Sequence, residues 1–124
     1  AIEAGVGSFM CSYNKIHGQW SCENPDTLKA DLRDRLRFGG YVMSDWGATH
    51  STSIMAGLDM EMPGGSWMNP TLISAGVAAG NITQAAIDQS VLNILIPMFQ
   101  VGVMDLPLYT WDAKNLSKNV TTRE

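Results

Sequence analysis

The sequence predicts an α/β fold in which strands and helices alternate, and two observations carry this prediction. Short continuous apolar runs alternate with segments in which apolar residues recur at helical spacing. The ends of the predicted strands also carry Tyr13, Asp45 and Glu61, and parallel α/β sheets gather chemistry at the carboxyl ends of their strands. The order strand, helix, strand, helix, strand, helices implies right-handed βαβ units.

In the first half of the chain the predicted elements are a strand, a loop, an amphipathic helix and a second strand, at residues 7–13, 14–20, 27–38 and 41–44. Asn24 is the expected N-cap of the helix and Pro25 fits its first position. Gly39 ends the helix. The strand YVMS is a continuous apolar run of the kind buried in a parallel sheet, and Asp45 follows it directly.

In the second half the predicted elements are a short helix, a strand and two longer helices, at residues 49–57, 58–62, 70–79 and 82–102. Thr83 is the expected cap of the last helix, and Pro97 is expected to kink it or to mark its final turn. Beyond Met104 the periodicity fades. Residues 1–105 are therefore predicted to belong to one domain, and residues 106–124 to a linker leading out of it.

Three strands do not close a barrel. Either the sheet is small and open, or the chain is the last portion of a larger (β/α)8 barrel of the TIM type. We favour the barrel, because it places the side chains at several strand ends around one mouth. The chain does not begin with Met and its first residues lack the pattern of a signal peptide, so we expect an internal piece of a longer product.

Composition and charge argue against several classes of function. With 45% apolar and 16% charged residues among 124, the chain can bury a core. A net charge of −4 without a Lys or Arg stripe argues against nucleic acid or an anionic membrane as partner, and a neutral substrate fits better. No apolar stretch approaches the roughly 18 residues that span a bilayer. His17 and His50 are too far apart, and too poor in nearby acids, to predict a metal site.

Features of secreted proteins are also present. Acceptor sequons for N-glycosylation occur at Asn81, Asn115 and Asn119 and favour a secreted glycoprotein. Cys11 and Cys22 are the only cysteines. A disulfide between them fits a secreted protein, and two buried thiols fit the sequence as well.

Asp45 is the candidate catalytic residue. An ionised carboxylate at a strand end, beside the indole of Trp46, suits a glycosidase nucleophile. Such an acid attacks an anomeric carbon while flat apolar rings stack on the sugar. The competing interpretation is an aspartate that caps a short helix at residues 48–50.

Several motifs over residues 7–64 follow one another in order: MCSYN, CEN, FGGYVMSDWGATHS and GLDMEMPG. Together they resemble the catalytic barrel domain of glycoside hydrolase family 3, the β-glucosidase type, and the resemblance covers roughly residues 5–105. It implies the C-terminal part of a (β/α)8 barrel in a larger multidomain enzyme. The chain departs from the family pattern at His17, Asn93 and Pro97.

The resemblance implies a retaining β-glucosidase that removes terminal non-reducing β-D-glucosyl residues from cello-oligosaccharides and other β-glucosides. Asp45 would form the covalent glycosyl-enzyme intermediate, Tyr13 would hydrogen-bond it, and Trp46 and Met10 would line the sugar site. No metal or organic cofactor is implied. A β-xylosidase of the same family, or a non-catalytic carbohydrate-binding remnant, is the alternative.

The second catalytic carboxyl group is expected outside this chain. A retaining mechanism needs two carboxyl groups about 5 to 5.5 Å apart, and Glu61 is the tempting partner. In the family, however, the general acid/base comes from a following α/β sandwich domain. Glu61 and Asp59 are therefore predicted to be structural or to support the site, and the isolated chain is expected to be inactive.

Overall fold

The computed structural model describes residues 1–106. Nearly all of the predicted linker, and the sequons at Asn115 and Asn119, lie outside the described residues. The regular elements are strands β1 (Ser8–Cys11), β2 (Lys15–Ile16), β3 (Gln19–Trp20) and β4 (Tyr41–Ser44), and helices α1 (Pro70–Ala78) and α2 (Gln84–Gln100). A π-helix spans Asp26–Arg35, and single 3-10 turns occur at Ile2–Ala4, Ser21–Glu23, Ser53–Ala56 and Val103–Asp105.

Strands β1 and β4 pair in parallel, with Ser8 opposite Tyr41 and Cys11 opposite Ser44. The π-helix lies between them in sequence, so the predicted βαβ unit is confirmed. Gly40 makes the close start of β4 possible, because a Cβ there would stand 2.1 Å from the carbonyl oxygen of Gly7.

The predicted strand over residues 58–62 is wrong as a strand, although its place and direction are right. It forms one parallel bridge to β4, between Met43 and Met60. The N–H groups of Asp59 and Met60 both donate to the carbonyl of Val42, which breaks the regular ladder. Pro63 then has no N–H with which to extend it.

The segment predicted as an α-helix over residues 27–38 winds more widely than expected. It is a π-helix, and beyond its end the Leu36 N–H donates to the carbonyl of Asp31 at 2.9 Å. Asn24 caps its start as predicted, since its Oδ1 accepts from the N–H groups of Asp26 and Thr27. Leu36 is 49% exposed, so the predicted leucine stripe opens to solvent at its end.

The predicted loop over residues 14–20 is wrong, because β2 and β3 form a short antiparallel hairpin there. His17 and Gly18 occupy its turn with φ of 49° and 86°. Two successive positive φ angles are the requirement of a type I′ turn, which usually carries Asn-Gly. In this hairpin, His17 and Gly18 therefore take the two turn positions that Asn-Gly usually occupies.

The two long helices are confirmed, together with the predicted cap of the second. Asn69 caps α1 by accepting from the Leu72 N–H at 3.0 Å, and Thr83 caps α2 by accepting from the Ala86 N–H at 3.1 Å. Pro97 lies in the last turn of α2, which is one of its two predicted places. The predicted short helix over residues 49–57 is a single 3-10 turn, Ser53–Ala56.

The core lies between β1, β4 and the π-helix, and its buried members are Cys11, Cys22, Leu28, Phe38, Val42, Ala48 and Leu58. Cys11 and Cys22 form a disulfide with a Cα–Cα distance of 5.1 Å, which decides between the two interpretations of these cysteines. Within residues 1–106, β1 pairs with β4 alone, and residues 9–11 line a cavity of about 310 Å³ beside the π-helix. No helix in this part of the chain has the length and apolar character that crossing a bilayer needs.

Candidate active site

The site is built where β4 ends. Asp45 is the first residue after that strand, and its N–H donates to the carbonyl of Cys11 at the end of β1. The Ala48 N–H donates back to the Asp45 carbonyl at 3.1 Å, and Gly47 has a φ of 76°. This closes a tight turn, and no helix begins at residues 48–50. The interpretation of Asp45 as a helix cap is therefore wrong.

The two oxygens of the Asp45 carboxylate have different surroundings. Oδ1 accepts from the Tyr13 hydroxyl at 3.0 Å and from the Trp46 N–H at 2.6 Å. No hydrogen bond from the described residues reaches Oδ2. The carboxylate is thus oriented through one oxygen, and the other has no hydrogen-bond partner within residues 1–106.

Tyr13 holds the turn as well as the carboxylate, because its hydroxyl also faces the Trp46 carbonyl at 2.9 Å. Desolvation, the hydrogen bond to Asp45 and the negative charge of Asp45 raise the pKa of Tyr13 above its ordinary value. The phenol therefore stays protonated through the neutral range. A protonated Tyr13 can donate to a carboxylate, whereas a phenolate would repel it.

Trp46 presents its side chain to solvent beside the carboxylate, with 65% of the residue exposed. A large, exposed indole is a suitable surface for the apolar face of a sugar ring. Met10 is also exposed, at 59%, but it lines the cavity beside the π-helix, whose lining includes neither Tyr13 nor Asp45. The structure thus joins Tyr13, Asp45 and Trp46 by hydrogen bonds, and the place of Met10 in the sugar site stays a prediction.

A stacked column near the site was missed from the sequence. The rings of Trp20 and His50 stack with centroids 3.9 Å apart, and the Lys15 ammonium lies 4.5 Å from the centre of the Trp20 ring. The column attaches the β2–β3 hairpin to the segment that follows Asp45. No short-range pattern predicts a contact between residues 30 positions apart.

Asp59 is 8% exposed and bound on both oxygens. Oδ1 accepts from Ser90 at 3.0 Å and from Asn93 at 2.9 Å, while Oδ2 accepts from the Val42 N–H at 2.7 Å and pairs with Arg33. The sequence indicated a structural or supporting role for Asp59, and these contacts agree with it. The partners Arg33, Ser90 and Asn93 were not predicted.

Glu61 is 7% exposed. Among the described residues, no hydrogen bond connects it with Asp45. Its carboxylate accepts from the backbone N–H groups of Trp67 and Met68, at 3.0 and 2.8 Å. These contacts shape the loop that leads into α1, in agreement with the predicted structural role. Residues 1–106 contain no cluster of three His, Cys, Asp or Glu side chains suited to a metal ion.

Comparison with known proteins places this geometry in a family. Residues 1–96 match the sequence model described as the glycosyl hydrolase family 3 N terminal domain. The chain is 43% identical over 111 residues to the probable beta-glucosidase L of Aspergillus fumigatus. That match covers 82% of this chain and 15% of the fungal protein, so the chain spans less than a fifth of its relative.

Solved structures give the same result. The beta-glucosidase D2-BGL from Chaetomella raphigera superposes with a TM-score of 0.82 and 38% identity, over 92% of this chain and 17% of that one. DesR, a beta-glucosidase from Streptomyces venezuelae in complex with D-glucose, superposes with a TM-score of 0.76 and 35% identity. That match covers 82% of this chain and 15% of DesR.

Proposed function

The chain belongs to glycosyl hydrolase family 3, and on this premise we propose that it forms part of a retaining β-glucosidase whose nucleophile is Asp45. The observation that carries the proposal is the asymmetry of the Asp45 carboxylate: Oδ1 is held by Tyr13 and Trp46, while no group of the described residues binds Oδ2. A nucleophile needs this combination of fixed orientation and one unengaged oxygen. The names of the relatives point to the same activity.

In the proposed first step, Asp45 Oδ2 attacks the anomeric carbon of the terminal sugar. The glycosidic bond breaks, and the leaving oxygen takes a proton from an acid outside this chain. In the second step water, deprotonated by the same group, releases the sugar from Asp45, and the configuration is retained. Tyr13 and the Trp46 N–H keep Oδ1 oriented in both steps.

The proposed substrates are β-glucosides, among them cello-oligosaccharides, that present a terminal non-reducing glucosyl residue. Support comes from the relatives, since several are named beta-glucosidases and DesR is in complex with D-glucose. The exposed indole of Trp46 offers an apolar face beside the reacting carboxylate. A neutral substrate also suits a chain with a net charge of −4 and no basic stripe.

We further propose that residues 1–105 are the C-terminal part of a (β/α)8 catalytic barrel within a multidomain enzyme. The parallel βαβ unit, the bridge from β4 to Met60 and the free edge of β1 support this placement. Residues 106–124 are then the linker toward an α/β sandwich domain that supplies the acid/base, and the isolated chain is inactive.

Secretion is part of the same proposal. The Cys11–Cys22 disulfide is of the kind that persists in oxidising compartments. Asn81, the one sequon of the three that the structure describes, lies exposed between α1 and α2, where a glycan has room.

The test is to trap the intermediate in the full-length enzyme with an activated 2-deoxy-2-fluoro-β-glucoside. The fluorine slows the second step, so the sugar accumulates on the nucleophile. Peptide mass spectrometry should find the fluoroglucosyl group on Asp45, and the Asp45→Asn variant should take up none. If another residue carries the sugar, or if glucosides bind without labelling, Asp45 is not the nucleophile, and the second result favours a binding module.

A further inference from the structure

We propose that Asp59 is a positioning residue: a buried clamp on β4 that fixes where the Asp45 carboxylate stands. The proposal rests on the proposed function of Asp45 and adds a residue that touches no substrate. It follows from three observations: how Val42 is held, how Asp59 is itself held, and how short the distance is from Val42 to Asp45.

Val42, in the middle of β4, is gripped on both of its backbone groups by one short segment. Its N–H donates to Asp59 Oδ2 at 2.7 Å. Its carbonyl accepts from the N–H groups of Asp59 and Met60, at 3.0 and 3.1 Å. Val42 is completely buried, so water does not compete for these bonds.

Asp59 is in turn held from two helices. Ser90 and Asn93 of α2 bind its Oδ1, and Arg33 of the π-helix pairs with its Oδ2. Another nitrogen of the Arg33 guanidinium donates to the Gly40 carbonyl at 3.0 Å, just before β4 begins. The clamp therefore fixes the entry and the middle of β4 against the π-helix and α2.

Asp45 stands three residues beyond Val42, which is about 10 Å along an extended chain. Of the two residues between them, Ser44 is bound to the same segment as Val42, because its N–H donates to the Met60 carbonyl at 2.9 Å and its Oγ accepts from the Met62 N–H at 2.8 Å. A shift of the segment 59–62, which grips both Val42 and Ser44, is therefore transmitted to Asp45. A displacement of about 1 Å at a reacting group can cost roughly 100-fold in rate.

The test measures attack by Asp45 separately from sugar binding, in the full-length enzyme and well below its melting temperature. The Asp59→Asn variant keeps the shape of the side chain and removes the charge that pairs with Arg33. We expect its rate constant for inactivation by the 2-deoxy-2-fluoro-β-glucoside to fall by about 10- to 100-fold. The inhibition constant of glucose should change by less than about threefold, since the clamp does not touch the sugar.

Ile82→Ala is the control for lost stability. Ile82 is 4% exposed and packs against Gly76, where α1 meets α2, and it does not belong to the core cluster around β4. The cavity that this substitution leaves should lower the melting temperature, while the inactivation rate constant stays within about twofold of the wild type. This comparison separates general destabilisation from displacement of the nucleophile.

If Asp59→Asn loses thermal stability but is inactivated as fast as the wild type, Asp59 is structural only and the inference is wrong. If Asp59→Asn does not fold, Asn93→Ala takes its place, because it removes one donor to Oδ1 and leaves Ser90 bound. It should slow inactivation by roughly threefold or more, and an unchanged rate overturns the inference. A wild type that is not labelled at Asp45 refutes the proposed function instead, so the two failures are distinguishable.

Discussion

Asp45 and Asp59 both lie beside β4, Asp45 directly after its end and Asp59 against its middle, but their carboxylates are bound in opposite ways. Asp59 is buried and accepts from four partners that lie on β4, the π-helix and α2. Asp45 is half-buried, and in the described structure its carboxylate accepts only from Tyr13 and the adjacent Trp46 N–H, both through Oδ1. Asp59 thus joins three elements through both of its oxygens, whereas Oδ2 of Asp45 has no hydrogen-bond partner among the described residues.

The two aspartates also differ in whether a cationic side chain pairs with them. Asp59 is paired with Arg33, whose side chain is only 18% exposed, so the two charges compensate each other out of water. In the described part of the chain, neither Lys nor Arg forms a salt bridge with Asp45. Full pairing on both oxygens would compete with attack on a substrate. Substituting one aspartate at a time tests the difference between them.

The largest effect is expected for Asp45→Ala in the full-length enzyme. Removing the proposed nucleophile should lower kcat for an aryl β-glucoside by at least about 10⁴-fold. The melting temperature should change little, since Asp45 carries no buried ion pair among the described residues. Steady-state kinetics and thermal unfolding measure the two quantities. A variant that retains a tenth of the wild-type activity contradicts the assignment.

Asp59→Ala should lower the melting temperature much more than Asp45→Ala does. It leaves Arg33 without its buried partner and orphans the Val42 N–H, at a cost of about 3 kcal/mol. In a large domain this corresponds to a fall of roughly 6 °C or more in melting temperature. The melting temperatures of Asp59→Ala and Asp45→Ala are compared by thermal unfolding. Equal values would contradict a structural role that Asp59 has and Asp45 lacks.

The smallest effect is expected for Tyr13→Phe, which removes one donor to Asp45 Oδ1 and leaves the Trp46 N–H in place. We expect kcat/KM to fall by about tenfold, the value of one exposed charge-assisted hydrogen bond. Because the pKa of Tyr13 is raised, the phenol stays protonated below its ordinary pKa of 10. The ratio of wild type to variant should therefore be constant from about pH 5 to 9. A ratio that declines within this range shows that Tyr13 ionises earlier than its environment implies.

Much of the local structure was predictable because it depends on neighbouring residues. Asn24 and Thr83 cap helices as their positions in the sequence indicate, and the apolar run before Asp45 is a parallel strand, although it is buried only at Val42 and Ser44. The hairpin at His17 was predictable in principle from its turn, but the usual Asn was absent. The prediction of a third strand failed because Asp59 and Met60 share one acceptor, which depends on how the segment packs against β4.

The grouping of the candidate site residues was predictable from the sequence, but the residues that support them were not. The family motifs placed Asp45, Tyr13 and Trp46 together, and hydrogen bonds join them. No pattern in the sequence connects Asp59 with Asn93, because such a contact depends on where α2 packs on the sheet. Met10 is 59% exposed, and the alternation of side chains along its strand does not show which neighbours cover it, so its place in the wall of the sugar site stays a prediction.

The clamp also sets an order of events during synthesis of the protein. Asn93 lies 34 residues after Asp59, and α2 supplies both groups that bind Oδ1. At about 5 to 20 residues per second, a ribosome needs roughly 2 to 7 s to make that stretch after Asp59 has been added. Until α2 has emerged and docked, Asp59 lacks both groups that bind its Oδ1, so its position is fixed only after α2 has been made.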